Sequence, residues 1–315
     1  MTISLITGIN GFVGKHLGKL LISKGHIVYG TSRSAFLEHN DYYNYLITTA
    51  LEDKDEFKKI LKKIKPDYIF HLMAQSNVRR SWEDPDGTFY TNVEKTTVLL
   101  DAVAELDLPV RIINVGSSEE YGYDPNWQMP IKEDYELNPQ NPYGESKAAV
   151  SRLIANYLNV NRLDIIHMRP FNHIGPGQRL GFVVPDFANQ IVKIENGLSE
   201  PKLKVGDLTS KRDFSDVRDI VNAYLLAAEK GETGSIYNVC SGVPLGIITI
   251  LEKLIALSKV EISYEIDKRL FRPNDIPFYF GDNTKIISHT QWKPKWLIDD
   301  SLVDTINYFR TSFNQ

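Results

Sequence analysis

Short apolar runs alternate with amphipathic stretches through the first half of the chain. Ile3 to Thr7 reads as a strand, Phe12 to Lys24 carries the 3.6-residue period of a helix, and Ile27 to Thr31 is a second strand. The alternation continues with a helix over Asp53 to Ile64, a strand over Tyr68 to Leu72 and a long helix over Thr88 to Glu105. A strand over Arg111 to Val115, a helix over Asn141 to Asn159 and a strand over Asp164 to Met168 complete it. Such alternation predicts parallel strands joined by crossover helices, because a tight turn cannot connect parallel neighbours. The strands are almost continuously apolar, as strands covered by helices on both faces are. An α/β fold built on a doubly wound parallel sheet follows.

The second half is less regular. Loops at Gly175-Pro176-Gly177, Glu200-Pro201 and Arg272-Pro273 separate short strands from helices over Val217 to Glu229 and Ile248 to Leu257. This predicts a smaller C-terminal α/β lobe, with a ligand cleft between lobe and sheet. The expected division is 1–171 for the sheet domain and 172–315 mainly for a substrate lobe, with residues near 213–242 returning to the sheet domain.

Composition changes this picture little. The chain has 315 residues, 42% hydrophobic and 24% charged, which is ordinary for a globular protein. A net charge of −4 argues against a broad basic surface for nucleic acid, while leaving room for a local basic pocket. The one cysteine, Cys240, ends the apolar run Ile236-Tyr237-Asn238-Val239-Cys240, so it reads as a buried strand thiol and no internal disulfide can form. The start, Met-Thr-Ile-Ser-Leu-Ile-Thr-Gly, lacks the basic segment and cleavage site of a signal peptide, and no apolar run reaches membrane length. The expected location is the cytoplasm, with neither membrane nor nucleic acid as partner. No His-Glu-x-x-His pattern or Cys/His cluster suggests a metal, and His167, in an apolar strand, reads as a satisfied interior residue.

The candidate chemistry begins at Thr7-Gly8-Ile9-Asn10-Gly11-Phe12-Val13-Gly14, between the first strand and the first helix. Glycines at this spacing allow a tight turn, backbone approach to a pyrophosphate, and close helix–strand packing. The helix N-terminus offers free N–H groups to the phosphates. This is the phosphate cradle of a Rossmann-type dinucleotide site, formed by Gly8, Gly11, Phe12, Val13 and Gly14. The second strand ends Val28-Tyr29-Gly30-Thr31-Ser32-Arg33, with no acid to bind a ribose 2′-hydroxyl and with an arginine able to pair a 2′-phosphate. NADP(H) is therefore expected, with NAD(H) as second choice.

Tyr143 and Lys147 stand at i and i+4 near a helix start and so share a face. A free tyrosine has a pKa of about 10, and lowering it by roughly 3 units requires about 4 kcal/mol of preferential phenolate stabilisation. A neighbouring ammonium, a helix N-terminus and a nicotinamide cation are the expected sources. The strand Arg111 to Val115 runs into Gly116-Ser117-Ser118-Glu119-Glu120-Tyr121-Gly122. Ligands of open parallel sheets bind beyond the carboxyl ends of strands, so Ser117 or Ser118 stands where a substrate carbonyl would be held.

Together these motifs resemble the extended short-chain dehydrogenase/reductase family over nearly the whole chain. The resemblance includes Thr7 to Gly14, His71-Leu72-Met73-Ala74-Gln75-Ser76, Asn92, the Ser117 loop, Tyr143-x-x-x-Lys147 and Arg169-Pro170-Phe171-Asn172-His173. It implies that Ser117, four residues before the Tyr of the Tyr-Gly pair, is the catalytic hydroxyl beside Tyr143 and Lys147. It adds Leu51, Leu72, Ala74 and Asn92 to the cofactor contacts, alongside Tyr143 and Lys147. Pro170 to Gln178, Lys211 to Asp219 and Arg272-Pro273-Asn274-Asp275 are similar to the family's reductases of GDP-4-keto-6-deoxymannose. That similarity implies a GDP-sugar substrate held by Ser76, Asn77, Ser118, Asn172, Arg212, Arg272 and Asp275. It also implies NADPH-dependent reduction at C4 in nucleotide-sugar biosynthesis for surface polysaccharide, and a homodimer paired through the helices of Thr88 to Glu105 and Asn141 to Asn159. Apolar Val98, Leu99, Leu100, Val103, Val150, Leu153, Ile154 and Leu158 on those helices support the pairing.

Three alternatives stand beside this expectation. Glu119 matches the position of the dehydratase glutamate, so a GDP-mannose 4,6-dehydratase is the first. A reductase of a GDP-6-deoxy-4-keto-heptose is the second, and a cofactor-binding regulator without catalysis is the third. Two departures from the family pattern bear on the cofactor: Met73 stands where alanine is common, and Ala50-Leu51-Glu52-Asp53 lacks the usual adenine-binding aspartate.

Overall fold

The computed structural model describes residues 1–34, 41–160, 163–271 and 276–313. Its strands are β1 (Ile3–Thr7), β2 (Ile27–Ser32), β3 (Tyr45–Thr48), β4 (Tyr68–His71), β5 (Arg111–Val115), β6 (Asp164–Pro170), β7 (Asn172–Ile174), β8 (Lys202–Val205), β9 (Lys211–Asp216), β10 (Ile236–Val239), β11 (Pro244–Gly246), β12 (Ser263–Ile266) and β13 (Phe278–Tyr279). Its helices are α1 (Phe12–Ser23), α2 (Lys54–Ile64), α3 (Val78–Glu83), α4 (Pro85–Phe89), α5 (Lys95–Leu106), α6 (Pro142–Val160), α7 (Val183–Glu195), α8 (Val217–Lys230), α9 (Ile247–Ala256), α10 (Thr284–Thr290) and α11 (Ile298–Phe313).

Seven strands form one parallel sheet in the order β10-β6-β5-β4-β1-β2-β3. From β1 the chain winds outward to β2 and β3, then returns to add β4 on the other side. Thr7, His71, Val115 and Pro170 therefore end their strands on one edge, and the crevice opens where the winding reverses, between β1 and β4. The apolar runs are covered on both faces, with Leu5, Ile6, Ile69, Phe70, Ile112, Ile113, Ile165 and Ile166 fully buried. Leu17 and Leu21 of α1 and Ile220, Val221 and Tyr224 of α8 cover one face. Phe57 and Leu61 of α2, Leu99, Leu100 and Val103 of α5, and Val150 and Ile154 of α6 cover the other.

The lobe has its own core, in which Val184 and Ile191 of α7, Leu203 of β8, Ile250 and Leu251 of α9, and Leu302 and Ile306 of α11 pack together. A small sheet orders β11-β9-β13, with β7 also on β9. Arg218 clasps the C-terminal segment to α8: it pairs with Asp216 and with Asp304 at 2.7 Å each, and its guanidinium lies 3.3 Å from the centre of the Trp296 ring. Among the described residues, no helix is long and apolar enough to cross a membrane.

Two expectations change. The helix read as continuous from Thr88 to Glu105 is α4, a wide π-type turn over Tyr90–Glu94, and then α5. The extra residue in that turn carries Asn92 inward, where its amide accepts from Gln75 N at 2.8 Å and donates to Ser146 Oγ at 2.8 Å. Of the apolar residues expected at a dimer interface, Leu99, Leu100, Val103, Val150 and Ile154 are buried in the chain's own core, with Leu153 and Leu158 packed against it.

Candidate active site

The turn after β1 is made by backbone alone. Gly8 adopts φ +74°, and a Cβ at Gly14 would stand 2.6 Å from the Gly8 carbonyl and 2.7 Å from that of Ile9. Gly11 opens α1 without a side-chain cap, so the first N–H groups of the helix, at Phe12, Val13 and Gly14, are left to an outside acceptor. A bare helix N-terminus on a turn that excludes side chains fits the pyrophosphate of a dinucleotide. Arg33 follows β2 and is exposed. Leu51, fully buried, turns the chain at φ +52°. Where the family's aspartate is missing, the buried Lys95 ammonium holds the Ala50 carbonyl at 2.9 Å and Glu52 at 3.1 Å. Leu72, Met73 and Ala74 follow β4, and Met73, partly buried, packs against the core cluster that contains Leu51.

A buried chain of hydrogen bonds runs beneath this crevice. Thr96 Oγ1 donates its one proton to the Asn92 carbonyl at 2.6 Å, so it must accept from His71 Nε2 at 2.9 Å. His71 is then the Nε2–H tautomer, and its Nδ1 accepts from Thr7 Oγ1 at 2.8 Å. Burial, aided by the charge of Lys147, pushes the His71 pKa down to about 3, which keeps the ring neutral. Thr7, His71, Thr96 and Asn92 thus tie the glycine turn to the wide turn and, through Ser146, to α6.

Tyr143 and Lys147 lie on the buried face of α6. Asn141 caps that helix, accepting from Gly144 N at 2.8 Å, and its amide donates to Glu119 Oε2 at 2.8 Å. Ser117 follows β5, and its buried hydroxyl favours the Tyr143 phenolate, working against burial. The structure therefore brings together Ser117, Tyr143, Lys147 and Glu119. It differs from expectation in electrostatics. Burial is the main influence on Tyr143 and raises its pKa, while the Lys147 ammonium turns to the Val115 carbonyl at 2.7 Å. Burial brings Lys147 itself down to about 8, against an opposing pull from Glu120.

The residues expected on the sugar side are more spread. Asn77 caps α3, Ser76 beside it is exposed, and Ser118 is buried with its carbonyl accepting from Tyr279 at 2.5 Å. Asn172 is exposed on β7, and Arg212 lies on the neighbouring β9. Arg272 and Asp275 lie outside the described residues. Next to Asn172, the His173 ring stacks on Phe12 with centroids 6.0 Å apart, and its carbonyl accepts from Gln178 Nε2. Gln178 Oε1 and Ser215 Oγ are buried without a protein partner, and Ser215 is the strand partner of His173.

Sequence reasoning missed Glu120, Asn141, Lys95 and Gln178. One signal was available for Glu120: Arg169 stands in an apolar strand, and a buried guanidinium requires a buried acid.

Comparison with known proteins agrees with this geometry. The family model described as GDP-mannose 4,6 dehydratase matches residues 5–305. The GDP-6-deoxy-D-mannose reductase of Pseudomonas aeruginosa is 33% identical over 94% of this chain and 93% of its own length. The human GDP-mannose 4,6 dehydratase is 27% identical over 97% of this chain and 90% of its own. Among solved structures, RMD from Pseudomonas aeruginosa complexed with NADPH superposes with a TM-score of 0.87 at 30% identity, covering 99% of this chain and 100% of that one. With its matched length and its Ser117, Tyr143 and Lys147 in one buried site, the chain belongs to the GDP-mannose 4,6-dehydratase family of extended short-chain dehydrogenase/reductases.

Proposed function

We propose that this protein reduces the C4 keto group of GDP-4-keto-6-deoxy-D-mannose to GDP-6-deoxy-D-mannose (GDP-D-rhamnose), using NADPH. The observation that carries the reading is the burial of Ser117, Tyr143 and Lys147 in one site of a chain 33% identical, over 94% of its length, to a GDP-6-deoxy-D-mannose reductase. Burial keeps Tyr143 a phenol, which is the state a ketone reduction needs.

Gly8, Gly11, Phe12, Val13 and Gly14 would hold the pyrophosphate, and Arg33 the 2′-phosphate. Leu51, Leu72, Ala74 and Asn92 would line the rest of the cofactor's path, with Lys147 on the nicotinamide ribose. When bound, NADPH supplies the hydride that C4 accepts. Tyr143 gives its phenolic proton to the C4 oxygen, and Ser117 hydrogen-bonds that oxygen as negative charge grows on it. Hydride and proton together turn the ketone into a secondary alcohol. Ser76, Asn77, Ser118, Asn172, Arg212, Arg272 and Asp275 would hold the GDP-sugar, the arginines pairing with diphosphate oxygens.

Glu119 supports the second reading, dehydration of GDP-mannose, because Asn141 holds its carboxylate on the loop that carries Ser117. One assay separates the two. Incubated with NADPH and the GDP-4-keto sugar, a reductase consumes NADPH mole for mole, and with GDP-mannose alone it does nothing. A dehydratase converts GDP-mannose without net loss of nicotinamide absorbance, and that result would replace our assignment. Tyr143→Phe should lower kcat by about 10²- to 10⁴-fold while NADPH binding persists. A variant with full turnover would remove Tyr143 from the mechanism. A cytoplasmic homodimer completes the proposal, in keeping with a water-soluble nucleotide-sugar substrate.

A further inference from the structure

We propose that Glu120 is a positioning residue: its carboxylate, locked between Arg169 and His167, grips the Ser117 amide and so fixes the Ser117 hydroxyl for the reacting oxygen. The inference rests on the reading of Ser117 as the group that hydrogen-bonds the reacting oxygen.

Glu120 is fully buried, and each of its oxygens is committed. Oε1 accepts from Ser117 N at 2.8 Å, Oε2 accepts from Arg169 Nε at 2.8 Å, and His167 Nε2 lies 3.1 and 3.0 Å from the two. The partners are themselves fixed. His167 Nδ1 is bonded by the Asn114 amide at 2.9 Å, which leaves Nε2 as its donor toward Glu120. Arg169 donates to Ser151 Oγ at 3.0 Å and lies over the Tyr121 ring at 4.5 Å. Residues from β5, β6 and α6 thus converge on one carboxylate. With no exposure and no free lone pair directed at the cleft, Glu120 cannot exchange a proton with a sugar.

Its charge is felt at Lys147 and Tyr143, but its geometric hold on the site passes through Ser117. The chain there is extended, at φ −163° and ψ 151°, so fixing the amide fixes the direction of the side chain. Ser117 Oγ also accepts from Glu119 N at 3.2 Å. Gly116 shows how close the fit is. A Cβ there would stand 2.0 Å from Glu120 Oε1 and 2.5 Å from His167 Nε2. A hydroxyl displaced by an ångström costs about 100-fold in rate, which is why a carboxylate that never meets substrate can matter to turnover.

The test is a double-mutant cycle. Glu120→Gln sets an NH2 group against a donor whichever way its amide turns, so either Ser117 N or the Arg169 and His167 clamp that aligns the side chain loses its acceptor. We expect kcat to fall by about 100-fold, with KM and the NADPH Kd changed by less than about twofold. In a Ser117→Ala background the same substitution should alter the pH-independent kcat by less than about twofold, because the positioning route is already cut, while loss of the Glu120 charge shows as a shift of the pH profile in both backgrounds. Losses that multiply, or a KM and Kd that worsen with kcat, would overturn the proposal. If Glu120→Gln does not fold, the pair Glu120→Leu with Arg169→Met removes the amide's acceptor without stranding a charge, and the same kcat-only loss is expected. The crystal structure of either variant gives a substrate-independent answer. The Ser117 hydroxyl should be displaced by about an ångström from its wild-type position, and an unmoved hydroxyl refutes the idea. A wild-type protein inert toward the keto sugar would instead refute the proposed reaction, leaving the crystallographic comparison to judge Glu120.

Discussion

Lys147 shows how one side chain is set by its surroundings. Its ammonium is buried and bonded to the Val115 carbonyl, and burial holds its pKa at about 8 instead of 10.5. The unfolded chain therefore binds this proton more tightly than the folded one. The resulting penalty is full below pH 8 and disappears as pH rises toward 10.5, since both states then hold a neutral amine. Compared with Lys147→Met, wild type should gain roughly 3 kcal/mol of relative stability between pH 7 and pH 10.5. Urea unfolding of both proteins at the two ends of that range measures it, and a difference that does not change with pH would rule out a depressed lysine. Tyr143 and Lys147 were legible in the sequence because their spacing is local, and Ser117 through the family resemblance. The hydrogen bond that draws Lys147 to Val115 was not, because it joins residues 32 apart on separate elements.

At the scale of elements, the start of α1 and the wide turn before α5 place the crevice. The first depends on glycine. Gly14→Val should weaken NADPH binding by tenfold or more and destabilise the fold by about 1–3 kcal/mol, since the added carbons meet backbone carbonyls that cannot yield. Calorimetric titration and denaturant unfolding read the two effects, and wild-type affinity in this variant would mean that the turn is not the cradle. The glycine spacing announced this element in advance. The wide turn at Tyr90–Glu94 was not announced, because apolar periodicity does not register one extra residue in a helical turn. It exists because Asn92 finds Gln75 and Ser146, neither of them near it in sequence.

At the scale of the molecule, a parallel sheet and a separate lobe core are joined by β9, α8 and the Arg218 clasp. Trp82 and Tyr90, 63% and 48% exposed, lie on the stretch leading into α5 and keep a homodimer in view although the deeper apolar residues are spent within the chain. Light scattering at micromolar concentration should report twice 35.9 kDa, and a monomer mass would refute the assembly. By itself the sequence determined the alternating α/β pattern, the phosphate-binding turn and the Tyr143–Lys147 pair, since each depends on periodicity or on spacing within one element. Tertiary structure alone decided where the Lys147 ammonium turns, where the charge of Glu120 goes, and how the long helix breaks. Those outcomes depend on burial and on hydrogen bonds between distant segments, and neither quantity exists until the chain has closed on itself.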